Sequence, residues 1–456
     1  MAELKRALGP WAAGSIVIGT AIGSGIFLVP SDMVKAVGAP SLVFFVWIFG
    51  GTLSLFGALT YAELSAAMPE AGGEYVYLNA AYGPFFGFIY GWTQTWVAKS
   101  ASLATLATGF YTYLADFFPG LQSVATAIPL PLGPGGGPLE IRYGQMVGIG
   151  VILFLSGVNY TGVRVGGGVQ VAVTALKLLL IAGIVAAGLF SGYAHTANLS
   201  AGMAPDPGGV AGFFAALVAA LWAYDGWNNA GMLGSEVENP QRNLPLALVI
   251  GTGSMIVIYL LANVAYFAVL GGPAVGSSER VAADMLRRVA GESGGAAVSI
   301  AAMISIFAAI NGSILSGSRV PYAMARDGYF FRRISQVHPE YRTPSASIVL
   351  LGLWSSVLLL SGQYRQLYTL VIFPSWILYG MTAGAVIVLR RRRPDLPRPY
   401  RVPGYPWVPL LFVLVALALL FSTFRTAPRE SGIGLGLILV GLPFYFHWKR
   451  RKGSSV

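Results

Sequence analysis

The chain is 456 residues long, 55% hydrophobic and only 10% charged, with a formal net charge of +11 and no cysteine. The charged fraction is far below the ~25% of soluble domains, and most of the positive charge sits in short segments between apolar runs, which argues against nucleic acid as a partner. Disulfides, thiolate metal sites and cysteine nucleophiles are impossible. The three histidines, His195, His338 and His447, are far apart and no H-E-x-x-H pattern occurs, so no metal or other cofactor is expected.

Apolar runs of about 17–25 residues, the bilayer-spanning range, recur along the whole length. They predict an all-α polytopic membrane protein with about twelve spans: 10–37, 41–68, 82–118, 143–160, 166–191, 210–235, 244–270, 294–326, 345–361, 365–389, 405–424 and 431–448. The first run is too long for a cleavable signal peptide and lacks an A-x-A-like site. Proline–glycine clusters at 129–138 and 204–209 punctuate the runs. With a cytoplasmic N-terminus, inner segments hold 18 lysines and arginines and outer segments 8; Lys99, Lys177 and Arg319 remain inside spans. This asymmetry predicts cytoplasmic tails at 1–9 and 449–456 and a place in the cell (inner plasma) membrane. The run RRRRP (390–394) reads as a topology anchor, with anionic-lipid binding as the alternative.

Two spans are interrupted at mid-depth. In the first, VIGTAIGSGIFLVP (17–30), the centre is Gly23-Ser24-Gly25. Glycine costs a helix interior about 1 kcal/mol against alanine, and an opened backbone in lipid costs several kcal/mol per unsatisfied group. Five spans later, LWAYDGWNNAG (221–231) places Asp225, Gly226, Asn228 and Asn229 deep in an apolar run. Paired breaks in corresponding positions are a mark of inverted-repeat transporters. Five spans (10–191), five more (210–389) and two extra (405–448) follow as an architecture. A broken helix offers amides and a dipole to an anionic group at the start of its second half. The end of its first half offers bare carbonyls to an ammonium, so two facing breaks suit a zwitterion. Close helix packing through Gly19 and Gly23 is the alternative reading of the first break.

Three further positions stand out. Lys177 lies about eleven residues from the near end of its span, ~16 Å at 1.5 Å per residue, beyond the reach of snorkelling. It needs oxygen partners or a wet cavity. Asp225 is read either as a partner for cationic substrate side chains or as a cap on a half-helix. Arg319, near a span end, snorkels or pairs with Glu236, Glu238 or Asp327, whereas Lys99 has no evident partner. SEVENPQRNLP (235–245) is read as an inner gate with Arg326 and Arg332, mixed with a helix start at Asn243 and Pro245.

IGSGIF (22–27), TALKLLL (174–180), AYDGWNNAGMLGSEVENPQRNLPLA (223–247), INGSILSGSR (310–319) and RRRRPDLPRPYRVP (390–403) resemble the amino acid–polyamine–organocation superfamily. Within it they look most like the L-type amino acid transporters, the light subunits of heteromeric exchangers and their bacterial relatives. The resemblance implies the five-plus-five fold of sodium-coupled leucine transporters, alternating access, and a neutral amino acid held at the two breaks. Ile22, Gly23, Ser24, Gly25 and Ile26 would bind the substrate backbone. The amides of Ser24 and Gly25 would take the carboxylate; carbonyls of Ile22 and of Trp222, Ala223, Tyr224 and Asp225, beside Gly226, would take the ammonium. Trp222 stands where the family has an aromatic outer gate, and Trp376 resembles a pocket-wall tryptophan, with packing alone as the alternative. Lys177 would replace a sodium ion, touching carbonyls of the first span and hydroxyls of the eighth near Asn311, Ser313 and Ser316. For Asn311 and Ser313, ordinary interhelical hydrogen bonding is the equal alternative. Light subunits bond a heavy chain through a cysteine between the third and fourth spans; its absence here excludes a disulfide-linked heavy partner and suggests a self-sufficient prokaryotic carrier.

The function expected is sodium-independent exchange of L-amino acids. A proton-linked or uncoupled permease that also accepts cationic amino acids is the alternative, with Lys177 then titrating. A non-transporting amino acid sensor is the reading from another class. An intramembrane enzyme lacks a nucleophile, an acid pair or a metal site at depth.

Overall fold

The computed structural model describes residues 4–129, 138–200, 208–361 and 364–453. The proline–glycine clusters expected at 129–138 and 204–209 lie largely outside the described residues, as do the outermost three residues of each tail. In hydrocarbon the backbone must satisfy its own hydrogen bonds, and helices do this within one segment. The first span is α1 (Pro10–Ala21) plus α2 (Gly25–Val37), followed by α3 (Pro40–Ala67) and a short α4 (Glu74–Tyr82). The third is α5 (Pro84–Thr93), a π-helical turn at Gln94–Ala98 and α6 (Lys99–Leu114). An antiparallel hairpin of β1 (Val124–Ile128) and β2 (Leu139–Arg142) precedes α7 (Tyr143–Tyr160) and α8 (Val163–Leu189). Then come α9 (Gly209–Tyr224), the single turn α10 (Asn229–Met232), α11 (Pro240–Ser277), α12 (Val281–Gly317) and α13 (Arg319–Arg326). The remaining helices are α14 (Ser345–Leu360), α15 (Tyr364–Arg392), α16 (Trp407–Thr426) and α17 (Pro428–Gly453).

Among the described residues, nine helical segments are long and apolar enough to cross a bilayer, with α1–α2 counted as one, and α9 and α14 are shorter apolar helices. The interrupted pair α5–α6 brings the total to the twelve crossings expected. The chain is an all-α polytopic membrane protein. An even number of crossings puts both ends on one face, called the terminal face below; the opposite face is distal. The amides of Ala7 and Leu8 donate to the Glu236 carbonyl, and Lys452 Nζ donates to the Asp327 carbonyl.

Four local features depart from the sequence reading. The sixth span does not continue as helix to residue 235: beyond its break only the turn α10 is helical, because Gly231, Gly234 and then Pro240 follow closely. The gap before the third span contains α4, tucked in by Gly72 and Gly73 at φ 110° and 55°, a backbone only glycine adopts freely. The segment after the third span contains the β-hairpin. Finally, α11 kinks at Gly271 and α12 at Ala290–Gly291; the predicted span ends at 270 and 294 sit beside these kinks, but the helical stretch before the second kink was not expected.

The helix packing sets the site. α2 lies against α9, α11 runs along α3, and α12 packs on α8 and α6. The 390–394 run has a structural partner: Arg390 donates to both carboxylate oxygens of Glu63 (2.9 and 2.6 Å), and Arg398 Nε lies 3.5 Å from the same group. The Val402 amide donates to Glu63 as well (2.8 Å).

Candidate functional site

Because α2 packs on α9, the two breaks meet, and glycine serves a different need in each. At Gly25 the need is space: a Cβ would stand 2.6 Å from Ala223 Cα. At Gly226 the need is also conformation, since φ is 106°. A Cβ there would lie 3.0 Å from Thr20 Oγ1. Each glycine thus seats its break against the other. Two hydroxyls stitch the seam. Thr20 Oγ1 lies 3.0 Å from the Gly226 carbonyl, and Tyr259 OH, from α11, lies 2.6 Å from the Ala223 carbonyl and 3.1 Å from that of Ala21.

Between the breaks is a narrow cavity of about 10 Å³, room for roughly one water. Thr20, Ala21, Gly23, Ser24, Gly25, Ser102, Leu106, Trp222 and Asp225 line it. Five of these were named from the sequence: Gly23, Ser24, Gly25, Trp222 and Asp225. Ser102 and Leu106 were not, for nothing marks an ordinary serine or leucine of the third span until α6 is seen beside the break. Ser24 and Gly25, at the start of α2, line this cavity, and an α-helix leaves its first amides without intrahelical partners. Asp225 is the one ionisable group among the described lining residues; its carboxylate accepts from Tyr379 OH (2.8 Å) and from the Gly226 amide. It therefore lines the cavity while tied to Tyr379 of the tenth span.

Lys177, near the middle of α8, is fully buried. Its ammonium donates to three main-chain carbonyls: Gly19 (2.8 Å), Ile22 (2.5 Å) and Ser305 (3.1 Å). All three N–H donors are matched. The first-span carbonyls were expected, but the eighth-span partner is Ser305 rather than a hydroxyl near Asn311 to Ser316. Ser305 precedes Asn311 by six residues, about 9 Å along a helix, and only its level matches the break. The Ile22 carbonyl also accepts from Ser305 Oγ (2.9 Å), so both its lone pairs are engaged and it is not open to a substrate ammonium.

The structure leaves other predicted site residues outside the cavity. Asn311 donates to Gln170 (2.9 Å) and Gly166 (3.2 Å) and accepts from Asn159 (2.8 Å), linking the fourth, fifth and eighth spans. Ser316 donates within its own helix to Gly312 (2.8 Å), and Ser313 is buried in the same helix. Tyr224 turns away and donates to the Trp47 carbonyl (3.1 Å). Trp376 stacks on Phe412 at 5.3 Å, and Ile26 is buried in the core.

Below the cavity, towards the terminal face, a second polar group is buried. Lys99, one turn before Ser102 on α6, donates to Asn229 Oδ1 (2.7 Å) and is near enough to Asp225 and Glu74 to feel their charge. Asn228 donates to Glu74. The π-helical turn just before Lys99 is a common device for re-aiming side chains at functional positions. Further down, Arg319 and Glu236 form a two-pronged ion pair (2.7 and 2.8 Å) with both side chains fully buried. This seals the terminal face together with the pairing of Leu8 and Val237. Arg326 does not join it, lying instead beside Glu70 and Asp327 (3.4 and 3.6 Å). The helix start predicted at Asn243 and Pro245 falls at Pro240, and Asn243 instead donates to the Glu238 carbonyl (2.5 Å). On the distal side a vestibule of about 790 Å³ begins one helical turn beyond the cavity, at Leu28 and Thr108.

Two helices broken at one depth around a narrow cavity, sealed on one face and approached by a vestibule from the other, define a membrane carrier for a small solute. The chain belongs to the amino acid permease family, whose model matches residues 8–441. It is 34% identical to the serine/threonine exchanger SteT of Bacillus subtilis (strain 168), over 99% of this chain and 98% of that one. It is 32% identical to the human b(0,+)-type amino acid transporter 1 (98% and 89% covered) and 30% identical to the human cystine/glutamate transporter (97% and 85%). The family and these relatives are transporters, not enzymes.

Proposed function

We propose that this protein is a sodium-independent exchanger of small neutral L-amino acids working by alternating access. The observation that carries the reading is Lys177: a fixed ammonium holds the carbonyls of the broken first span where a coupling cation would otherwise be needed. The substrate carboxylate lies at the amides of Ser24 and Gly25. Its ammonium lies towards the sixth span, where Asp225 supplies negative charge in place of the engaged Ile22 carbonyl. The tight cavity and the indole of Trp222 favour a small side chain, in keeping with the serine/threonine relative. Segments 10–191 and 210–389 act as inverted repeats that rock about the seam, with 405–448 as two added spans. The lysine and arginine asymmetry supports a cytoplasmic terminal face. The partners are its amino acid substrates and the lipids of the cell membrane, not nucleic acid, and without cysteine no heavy chain can be disulfide-linked.

Counterflow tests this. Purified protein in sodium-free liposomes takes up labelled serine when the vesicles are preloaded with unlabelled serine, and replacing choline by sodium changes nothing. Equal uptake into empty vesicles would remove obligatory exchange. Binding without any flux would make the protein a sensor.

A further inference from the structure

A cavity of about 940 Å³, far larger than the central one, opens on the terminal face between α13 with the turn after it and α17. Its rim carries Arg326, Arg332, His447, Arg451 and Lys452, and no carboxylate is among the described lining residues. The neighbouring acids are turned to Arg326, at 3.4 Å for Glu70 and 3.6 Å for Asp327, and Asp327 also accepts from Tyr75 OH (3.0 Å). Arg332, Arg451 and Lys452 are exposed.

The wall beneath this rim is aromatic. The Trp448 ring lies 5.4 Å from Phe331, 5.5 Å from Phe330 and 5.9 Å from Phe444. Phe331 is 56% and Phe444 40% exposed, a poor arrangement in water and a natural one at headgroup level. Deeper along the same face of α17, Leu437 and Val440 continue an exposed apolar track. Basic rim, aromatic collar and apolar track succeed one another in the order of phosphate, glycerol and acyl chain. The 390–394 run differs in its counter-charge: there the Glu63 carboxylate takes up Arg390 and Arg398, whereas Lys452 at this rim donates to a neutral carbonyl, that of Asp327 (3.1 Å).

We propose that this cavity binds an anionic phospholipid of the surrounding bilayer, with its phosphate among Arg332, Arg451 and Lys452 and its acyl chains along α17. The inference depends on the twelve crossings and not on the transport cycle. Each basic side chain near an anionic lipid surface is worth about fivefold in affinity.

The test uses full-length protein incubated with equal phosphatidylglycerol and phosphatidylcholine and read by native mass spectrometry. Retention of phosphatidylglycerol over phosphatidylcholine is expected. R451Q with K452Q should lower that retention roughly 25-fold, and by more than R391Q with R393Q does. R332Q alone, at an exposed position, gives a smaller loss, about fivefold, and serves if the double variant fails to fold. Equal retention of both lipids, or undiminished phosphatidylglycerol in the rim variants, overturns the proposal. Displacement of phosphatidylglycerol by inorganic phosphate would assign the site to soluble phosphates and overturn it too.

Discussion

Lys177 and Lys99 are both lysines buried within spans, yet their surroundings differ in kind. Lys177 is held by three neutral main-chain carbonyls drawn from two segments, the end of α1 and the middle of α12. Lys99 has an amide oxygen as acceptor and two carboxylates, Asp225 and Glu74, in its field. A cation satisfied by backbone dipoles reports the position of the backbone, so Lys177 is wired to the break that must rearrange. A cation among carboxylates balances charge, and its role is to make that burial tolerable. Burial alone would have given the two lysines one role; their partners separate them.

The sharpest way to break this comparison is Lys177→Ala. It takes the ammonium away from three buried carbonyls, about 1 kcal/mol or more each, so serine exchange in liposomes should fall at least about a hundredfold while the carrier still inserts. Normal exchange by a well-folded variant would end the role given to Lys177. Lys99→Met should act on stability instead. It removes the donor to Asn229 and the positive charge near two buried carboxylates, a loss of about 1–3 kcal/mol, read as a lower thermal midpoint in detergent. Adding Glu74→Gln should recover much of that loss; a double variant no more stable than Lys99→Met refutes the charge-balance reading. Gly25→Ala tests the seam, because its methyl group would meet Ala223 Cα at 2.6 Å. Overpacking of about 1–3 kcal/mol should weaken serine binding, measured by scintillation proximity, some tenfold. Smallest is Ser305→Ala, which removes one donor from the Ile22 carbonyl and leaves the Lys177 contacts, for a loss of about 1 kcal/mol. A severalfold drop in exchange rate is expected, and a loss as large as that of Lys177→Ala would mean the hydroxyl rather than the ammonium holds the break.

Residues that are chemically out of place in an apolar run could be read without coordinates. Gly23-Ser24-Gly25, Asp225 and Lys177 announce themselves by a backbone or solvation cost that lipid does not offset. Arg319 could even be given Glu236 among three candidates. Tyr259, Ser102, Leu106 and Ser305 could not be found this way, since a tyrosine, serine or leucine in a span is unremarkable until its neighbours are known. The short sixth-span turn α10 and the buried α4 were missed for a related reason: hydropathy over a long window averages away a single turn and skips a helix of nine residues.

The sequence by itself determined the twelve crossings, the two breaks and the presence of an unsnorkelled cation, because each is a local statement about transferring groups from water to hydrocarbon. Only the tertiary structure decided which oxygens receive that cation, which glycine gives space and which gives a dihedral angle, and which side of the central cavity is sealed. Those are contacts between residues far apart in the chain, and their energy depends on ångström distances that composition and spacing do not encode.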